Sequence, residues 1–354
     1  MASLIDNSTF NFNQEELKDL SAIINELSWG DQTLNELHDV VEGIKYNEQI
    51  VFAGNMGLMG KAVTGCTPNE VGGITLTEKT WTPIREDFRL KQCSADVNAQ
   101  DKLINQMAKM NPDFYNIIEG SQSNVGQYLV AKVIEQLPQE LLRKVWFNDT
   151  SADTVANGGV LTNGTDKGYF NTFDGFFKQI FNDASVPVFA IAKNQGASYT
   201  AQELASGDAL ATLRGVYKKA DKRLIKSGMA KFYVTSSVFD AYIDDLESIQ
   251  NTGAGNTTIT EDGQVQAYFK GIEVVEINLW DRTIEAYEDN GTTLNLPNRV
   301  ILSTPDNLKV GTLASGDFGE IDAFYDRVTK TNYMDGIYSI DAKHMQAYLT
   351  VAGY

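Results

Sequence analysis

The pattern of apolar residues along the chain predicts five helices. Leu17, Leu20, Ile24 and Leu27, closed by Gly30, predict a short amphipathic helix after a polar leader over 7–13. A second short helix is predicted over 33–41. The strongest pattern runs over 122–147, where Val125, Leu129, Val133, Ile134, Leu137, Leu141 and Val145 line one side. A helix of that length spans roughly 39 Å, and Pro138 is expected to kink it or split it in two. A fourth helix is predicted over 208–226, with Leu210, Leu213, Val216, Ala220 and Leu224 inward and Gly228 beyond its end. A further helix, capped by Ser236 or Ser237, is predicted to run through 248.

Between these stretches the period shortens to two. Residues 50–52 open a strand, six glycines (54, 57, 60, 65, 72 and 73) punctuate the next stretch, and 74–81 alternates apolar with polar. The reading is a long hairpin over 46–96 with its tip at 68–73. Such a hairpin has little core of its own and needs an outside surface to lie on. Strands are predicted at 231–234, 265–269, 273–277 and 299–303. Residues 318–354 read as two or three long strands, broken near Asn332 and Asp341. Residues 148–168 and 251–263, rich in Gly, Thr, Asn and Asp, read as exposed loops.

Length and charge narrow the class. A chain of 354 residues predicts two lobes, or one lobe with large insertions. Its 15 Tyr and 17 Phe against 7 Pro predict a large core. The formal charge of −18 makes nucleic-acid binding a poor expectation, because that affinity comes mainly from Lys and Arg on phosphate. An acidic surface suits a container that must not stick to DNA, and equally many other soluble proteins. Two cysteines, Cys66 and Cys93, exclude a disulfide-dense scaffold and are expected as free thiols. The first residues carry neither a basic region nor an apolar core, so no secretory leader is expected. No apolar run reaches 18 residues, so no membrane span is expected.

Catalytic chemistry finds little purchase. Gly54–Lys61 imitates a phosphate loop, but its outer glycines are one position too far apart and Ala62 follows the lysine where Ser or Thr would bind magnesium. His38 and His344 are the only histidines, and neither sits near a nucleophile elbow; both are expected to be structural. Asp149, Asp153 and Asp166 match no calcium-loop spacing, and two cysteines cannot build a zinc finger. A paired-carboxylate hydrolase stays open on sequence grounds, with Trp81, Trp146 and Trp280 as cleft aromatics; core or interface positions are the preferred reading for them. The expectation is therefore no catalytic residue, no cofactor and no metal site.

Several stretches resemble the major capsid proteins of tailed bacteriophages. Residues 297–312 (PNRVILSTPDNLKVGT) resemble a segment near the C-terminus of those proteins. Residues 268–275 with Trp280-Asp281 resemble the strand pair before it. Residues 146–150 and 173–180 resemble the end of a spine helix and the segment after the following loop, and 79–83 resemble the descending arm of an extended loop. The resemblance covers 46–354 in order and is nearest to capsid proteins of phages infecting Bacteroidetes. It implies an α+β chain of the Hong Kong 97 capsid fold: N-terminal arm 1–45, extended loop 46–98, peripheral domain with spine helix 99–185, axial domain 186–304 and peripheral C-terminal strands 305–354. No long helical scaffolding segment is present at the start, a departure from many such proteins.

The function implied is mechanical, not enzymatic. The chain would assemble with itself into hexamers and pentamers of an icosahedral shell around double-stranded phage DNA, without sequence-specific DNA contacts and without a membrane. Scaffolding, portal and decoration proteins are the further partners implied, with assembly in the host bacterial cytoplasm and residence in the virion capsid. Ile74, Leu76 and Trp81 are the candidate inter-subunit contacts. The alternatives are an encapsulin-type compartment shell and a glycan-binding or glycoside-hydrolysing protein.

Overall fold

The computed structural model describes residues 32–53, 76–93, 124–249, 257–259, 265–313, 322–326, 328–329 and 331–354. In chain order these form helix α1 (Gln32–Leu37), strands β1 (Asp39–Glu42), β2 (Gln49–Ala53), β3 (Leu76–Thr80) and β4 (Ile84–Cys93), and the long helix α2 (Asn124–Phe147). Next come α3 (Phe176–Asn182), β5 (Val188–Phe189), α4 (Tyr199–Gln202), α5 (Asp208–Lys219), α6 (Lys222–Lys226), β6 (Lys231–Val234) and α7 (Ser236–Ile249). Strands β7 (Thr257–Ile259), β8 (Val265–Phe269) and β9 (Ile272–Glu276) lead into α8 (Asn278–Tyr287). Strands β10 (Val300–Ser303), β11 (Leu308–Thr312), β12 (Asp322–Asp326), β13 (Thr331–His344) and β14 (Thr350–Gly353) complete the chain.

Two sheets carry the body. The larger has seven strands in the order β5-β14-β10-β6-β9-β8-β7. Its central strands are buried on both faces: β6, β10 and β14 hold nearly unbroken apolar or small residues, as a sheet covered on both sides requires. Alternation divides their side chains between two cores. Phe232, Val234, Val300, Leu302 and Val351 pack with Leu213, Val216, Val238 and Tyr242 of α5 and α7. Tyr233, Ile301 and Ala352, from the same strands, pack with Trp146, Phe176 and Trp280 of α2, α3 and α8. The second sheet has five strands in the order β1-β11-β13-β12, with β4 also paired to β13. Met334, Tyr338, Ile340 and Ala342 of β13 face the same core as Leu137, Leu141 and Val145 of α2, so the long helix joins both sheets through one apolar mass.

The predicted elements mostly appear, with corrections. Helix α2 stays a single helix through Pro138 and does not split. The 208–226 pattern is two helices: Ala220 turns to extended backbone (ψ 138°), and the Asp221 carboxylate accepts from Arg223 N to start α6. The 33–41 helix ends at Leu37, and Asp39–Glu42 is instead a strand, parallel to β11. Neither Ser236 nor Ser237 caps α7 by its side chain; the Asp281 carboxylate on α8 accepts from Ser236 N at 2.6 Å and from Ser237 N at 3.3 Å. The break expected near Asn332 is present as the turn between β12 and β13, but β13 continues through Asp341, because β4 pairs with it up to Ile340 and β11 from Asp341 onward. The 7–30 region and the Gly54–Lys61 loop lie outside the described residues.

Candidate assembly surfaces

The hairpin is the first surface. β2 and β3 pair antiparallel from Gln49↔Thr80 to Ala53↔Leu76 and, among the described residues, hydrogen-bond to no other strand. A tip centred on 68–73 would put Leu76 opposite a residue near 65; its partner is Ala53, and the tip itself lies outside the described residues. After Thr80 the chain leaves the hairpin. Residues 84–93, read from sequence as its descending arm, instead form β4 and pair with β13 over ten residues. Tyr46 and Val51 project to solvent on the hairpin at 65% and 52% exposure.

Its root is held by a small set of contacts. Trp81 N donates to Glu48 O and Asn47 N to Trp81 O, both at 2.9 Å. The Trp81 ring is buried at 3% exposure, against Ile44 and the backbone of Gly311. A Cβ on Gly311 would sit 2.6 Å from Ile44 Cδ1 and 2.8 Å from Trp81 Cζ3, so only glycine admits the ring there. Thr82 N donates to the buried Asp341 carboxylate at 2.7 Å, and Lys343 Nζ lies 3.1 Å from it. Burial raises the Asp341 pKa, with Lys343 opposing. Lys79 Nζ donates to the His344 carbonyl, and its burial lowers its pKa. The expectation of Trp81 as a contact for a neighbouring subunit is thereby corrected: its own chain covers it. The Leu76 side chain and Ile74 lie outside the described residues, so the structure does not place those two candidates.

A second surface was missed by sequence reasoning. On the outer face of the β4–β13–β12 sheet, Phe324, Tyr333 and Lys91 lie in register across three strands. Phe324 and Tyr333 stack with centroids 5.4 Å apart, the Arg89 guanidinium lies 5.8 Å from the Tyr333 ring, and Arg89 Nε donates to Asp335 at 2.7 Å. Val328, in the turn between β12 and β13, is 91% exposed. The alternation around Tyr333 in 322–335 was legible, but not which face stays uncovered. A groove of about 960 Å³ runs between α2, β4 and α8, with Leu137, Phe88, Leu90 and Leu279 among its lining residues and Arg143 and Arg282 at its sides.

Behind that groove, Lys144 Nζ on α2 donates to the Glu86 carboxylate on β4 and, at 3.0 Å, to the Tyr338 hydroxyl on β13. Tyr338 in turn donates to Glu86 at 2.7 Å. All three are buried, and desolvation raises the Tyr338 pKa. On the other side Arg299 is sandwiched between Phe147 and Phe177, 5.1 and 4.5 Å from their centroids, and bonded to Glu288. These ions pin strands to helices, and Lys144 and Tyr338 also line the groove.

The residues weighed for chemistry are dispersed. Trp146 and Trp280 are fully buried edge to face at 4.5 Å, so neither lines a sugar cleft. His38 and His344 are buried, and burial lowers each pKa to about 4. Asp149 is engaged by Lys178 and Ser151, and Asp153 by Lys167, while Asp166 caps a short turn through Gly168 N. No group of His, Cys, Asp and Glu suited to a metal ion occurs among the described residues. No helix among them is long and apolar enough to cross a membrane.

No family model matches the chain, and no curated protein matches it. Its shape, however, matches solved structures over nearly its whole length. A chain of the satellite phage P4 procapsid including size determination (Sid) protein superposes with a TM-score of 0.50 at 7% identity, over 94% of this chain and 97% of that one. The fold is one found in phage capsids. A chain of the capsid structure of cyanophage P-SCSP1u also superposes at 0.50, with 11% identity, over 90% of this chain and 86% of that one. At such identities the likeness is one of fold alone. Among the described residues, the hairpin and the outer β4–β13–β12 face are two of the surfaces that carry exposed large apolar side chains.

Proposed function

We propose that this chain is the major capsid protein of a tailed bacteriophage, a structural subunit that assembles with itself into a closed shell. The observation that carries the reading is the match to phage capsid chains over nine-tenths of the molecule. In the Hong Kong 97 arrangement, residues 1–45 are the arm, 46–98 the extended loop, 99–185 with 305–354 the peripheral domain, and 186–304 the axial domain. Helix α2 is then the spine helix. The seven-stranded sheet with α5 and α7 forms the axial body, which meets its copies around the axes of hexamers and pentamers. The hairpin lies on a neighbour, offering its solvent-facing side, Tyr46 and Val51. Ile74 and Leu76 are retained as contacts, and Trp81 serves as the root that aims them. Double-stranded DNA is enclosed without sequence readout, consistent with the charge of −18. Scaffolding, portal and decoration proteins are further partners.

The test is expression of the full chain in a bacterial host, alone and with the scaffolding protein encoded beside it, followed by sedimentation and electron microscopy. Closed particles with five- and six-fold capsomers are expected. A chain that stays monomeric under both conditions refutes the reading. Shells that take up a cargo enzyme and are never filled with DNA point to an encapsulin-type compartment.

A further inference from the structure

The chain has two histidines, and both stand where the hairpin and its leading strap meet the body. His38 lies between α1 and β1. It is 2% exposed, stacked on Phe176 (centroids 5.4 Å apart, planes 11°) and 5.5 Å from the Trp146 ring. Its Nδ1 bonds the Leu34 carbonyl at 3.0 Å, and its Nε2 has no partner. His344, fully buried at the end of β13, bonds Thr350 Oγ1 through Nε2 at 2.9 Å, and its Nδ1 has none. Its carbonyl is the acceptor for Lys79 of β3.

Charge around the two rings is arranged against a proton. The rings packed on His38 come from α2 and α3 and carry none; on its own strap Glu36 is exposed and Asp39 is paired with Lys309 of β11. His344 lies among Lys79 of β3, Asp183 after α3, and Lys343 and Asp341 of its own strand, with Lys343 opposite Lys309 of β11. Lys79 and Lys343 already balance Asp183 and Asp341, so an imidazolium adds a third cation to two acids. Desolvation keeps both rings neutral at pH 7.

We infer that the segment from α1 to β3 is an acid-released strap: protonation of His38 expels α1 and β1 from the aromatic pocket, and protonation of His344 drives Lys79 and β3 off the body. The strap is the part that yields because it is lightly held. Among the described residues, β1 is a four-residue edge strand, the β2–β3 pair joins no other sheet, and the buried apolar contacts of the strap are Leu34, Leu37, Ile44 and Trp81. The two large sheets have buried central strands and open only with the whole protein. The inference concerns the single chain and stands whether or not the chain builds shells.

The sign follows from the depressed values. The strap is held in full above pH 6.5. As pH falls from there to about 4, its opening constant rises about tenfold per unit through His38, whose ring leaves its pocket with the strap, and further through the repulsion between His344 and Lys79. The experiment is hydrogen–deuterium exchange of the full chain, corrected for intrinsic rate, from pH 7.5 to pH 4.5. Peptides covering 32–53 and 76–83 are expected to lose protection at least 100-fold while those covering 231–234 and 300–303 keep theirs. His38→Phe and His344→Asn remove the proton sites and retain the ring packing and the Thr350 bond respectively. His38→Phe is expected to remove most of the loss, and His344→Asn to reduce it by a smaller amount. Exchange at the histidine C2 position of the unmodified chain needs no variant and reads both pKa values directly. Values near 6.5, a single global transition, or unchanged onset in folded variants would each overturn the latch.

Discussion

The buried Lys144–Glu86–Tyr338 cluster fixes how the long helix seats on the five-stranded sheet, and it yields a sharp prediction. The Lys144 and Glu86 side chains are 8% and 6% exposed. Lys144→Met keeps the length and apolar stem of the side chain but leaves the Glu86 carboxylate buried with only the Tyr338 hydroxyl as donor. Glu140, a third exposed and 3.6 Å from Lys144, keeps Arg143 as its partner and adds little. Breaking a buried pair by removing one member costs about 3–5 kcal/mol, because the remaining charge is desolvated without compensation. Removing all three polar groups together is a different perturbation. Lys144→Met with Glu86→Leu and Tyr338→Phe leaves no buried charge or hydroxyl stranded, and is expected within about 1 kcal/mol of the parent or above it. Urea unfolding of the unassembled chain, followed by tryptophan fluorescence, measures both. If Lys144→Met lies within 1 kcal/mol of the parent, the cluster is wetter than its geometry indicates. If the triple variant is no better than the single one, the loss is one of packing and the electrostatic account fails.

Other outcomes follow from the same contacts. Gly311→Val drives a branched side chain into Ile44 and Trp81, and is expected to cost about 1–3 kcal/mol with a red-shifted emission as Trp81 is displaced. A cut confined to 54–75, replaced by a short Gly/Ser turn, keeps β2 and β3 and leaves the melting temperature of the subunit nearly unchanged. It is expected to abolish closed particles by sedimentation, and particles at wild-type yield would make the hairpin a decoration. Phe324→Asp with Val328→Asp changes two exposed side chains, so stability shifts by less than about 0.5 kcal/mol while particle yield falls. Normal yield would show that the outer face of the β4–β13–β12 sheet meets no neighbour.

Local pattern was enough for elements that bury one face against one partner. α2, α7 and β6 match their predicted spans to within two residues because period and burial agree there. It failed where tertiary contacts decide. Asp39–Glu42 continues a helical spacing, yet the edge of β11 offers four backbone partners, and the strand wins. Asp341 reads as a break because polar residues usually interrupt strands. Its carboxylate accepts from Thr82 N and its backbone stays in register with Gly311, so it costs the ladder nothing. The cap of α7 was sought two residues away in sequence and came from Asp281, 45 residues on.

Trp81 shows why the assembly surface was harder to read than the fold. An aromatic at the end of a glycine-rich hairpin has the sequence signature of an interface residue. Whether it faces a neighbour or its own body depends on Gly311, 230 positions away, whose missing Cβ makes the slot for the ring. A shell subunit needs only apolar side chains of suitable volume, and many residues satisfy that. This is consistent with a shape shared over 94% of the chain at 7% identity. Few positions in such a chain are fixed by chemistry. Those that are include close-contact glycines such as Gly311 and Gly336, where a Cβ would strike the Phe88 ring at 2.3 Å, and buried ion clusters such as Lys144 with Glu86. These positions, more than any surface residue, are where substitution should be least tolerated.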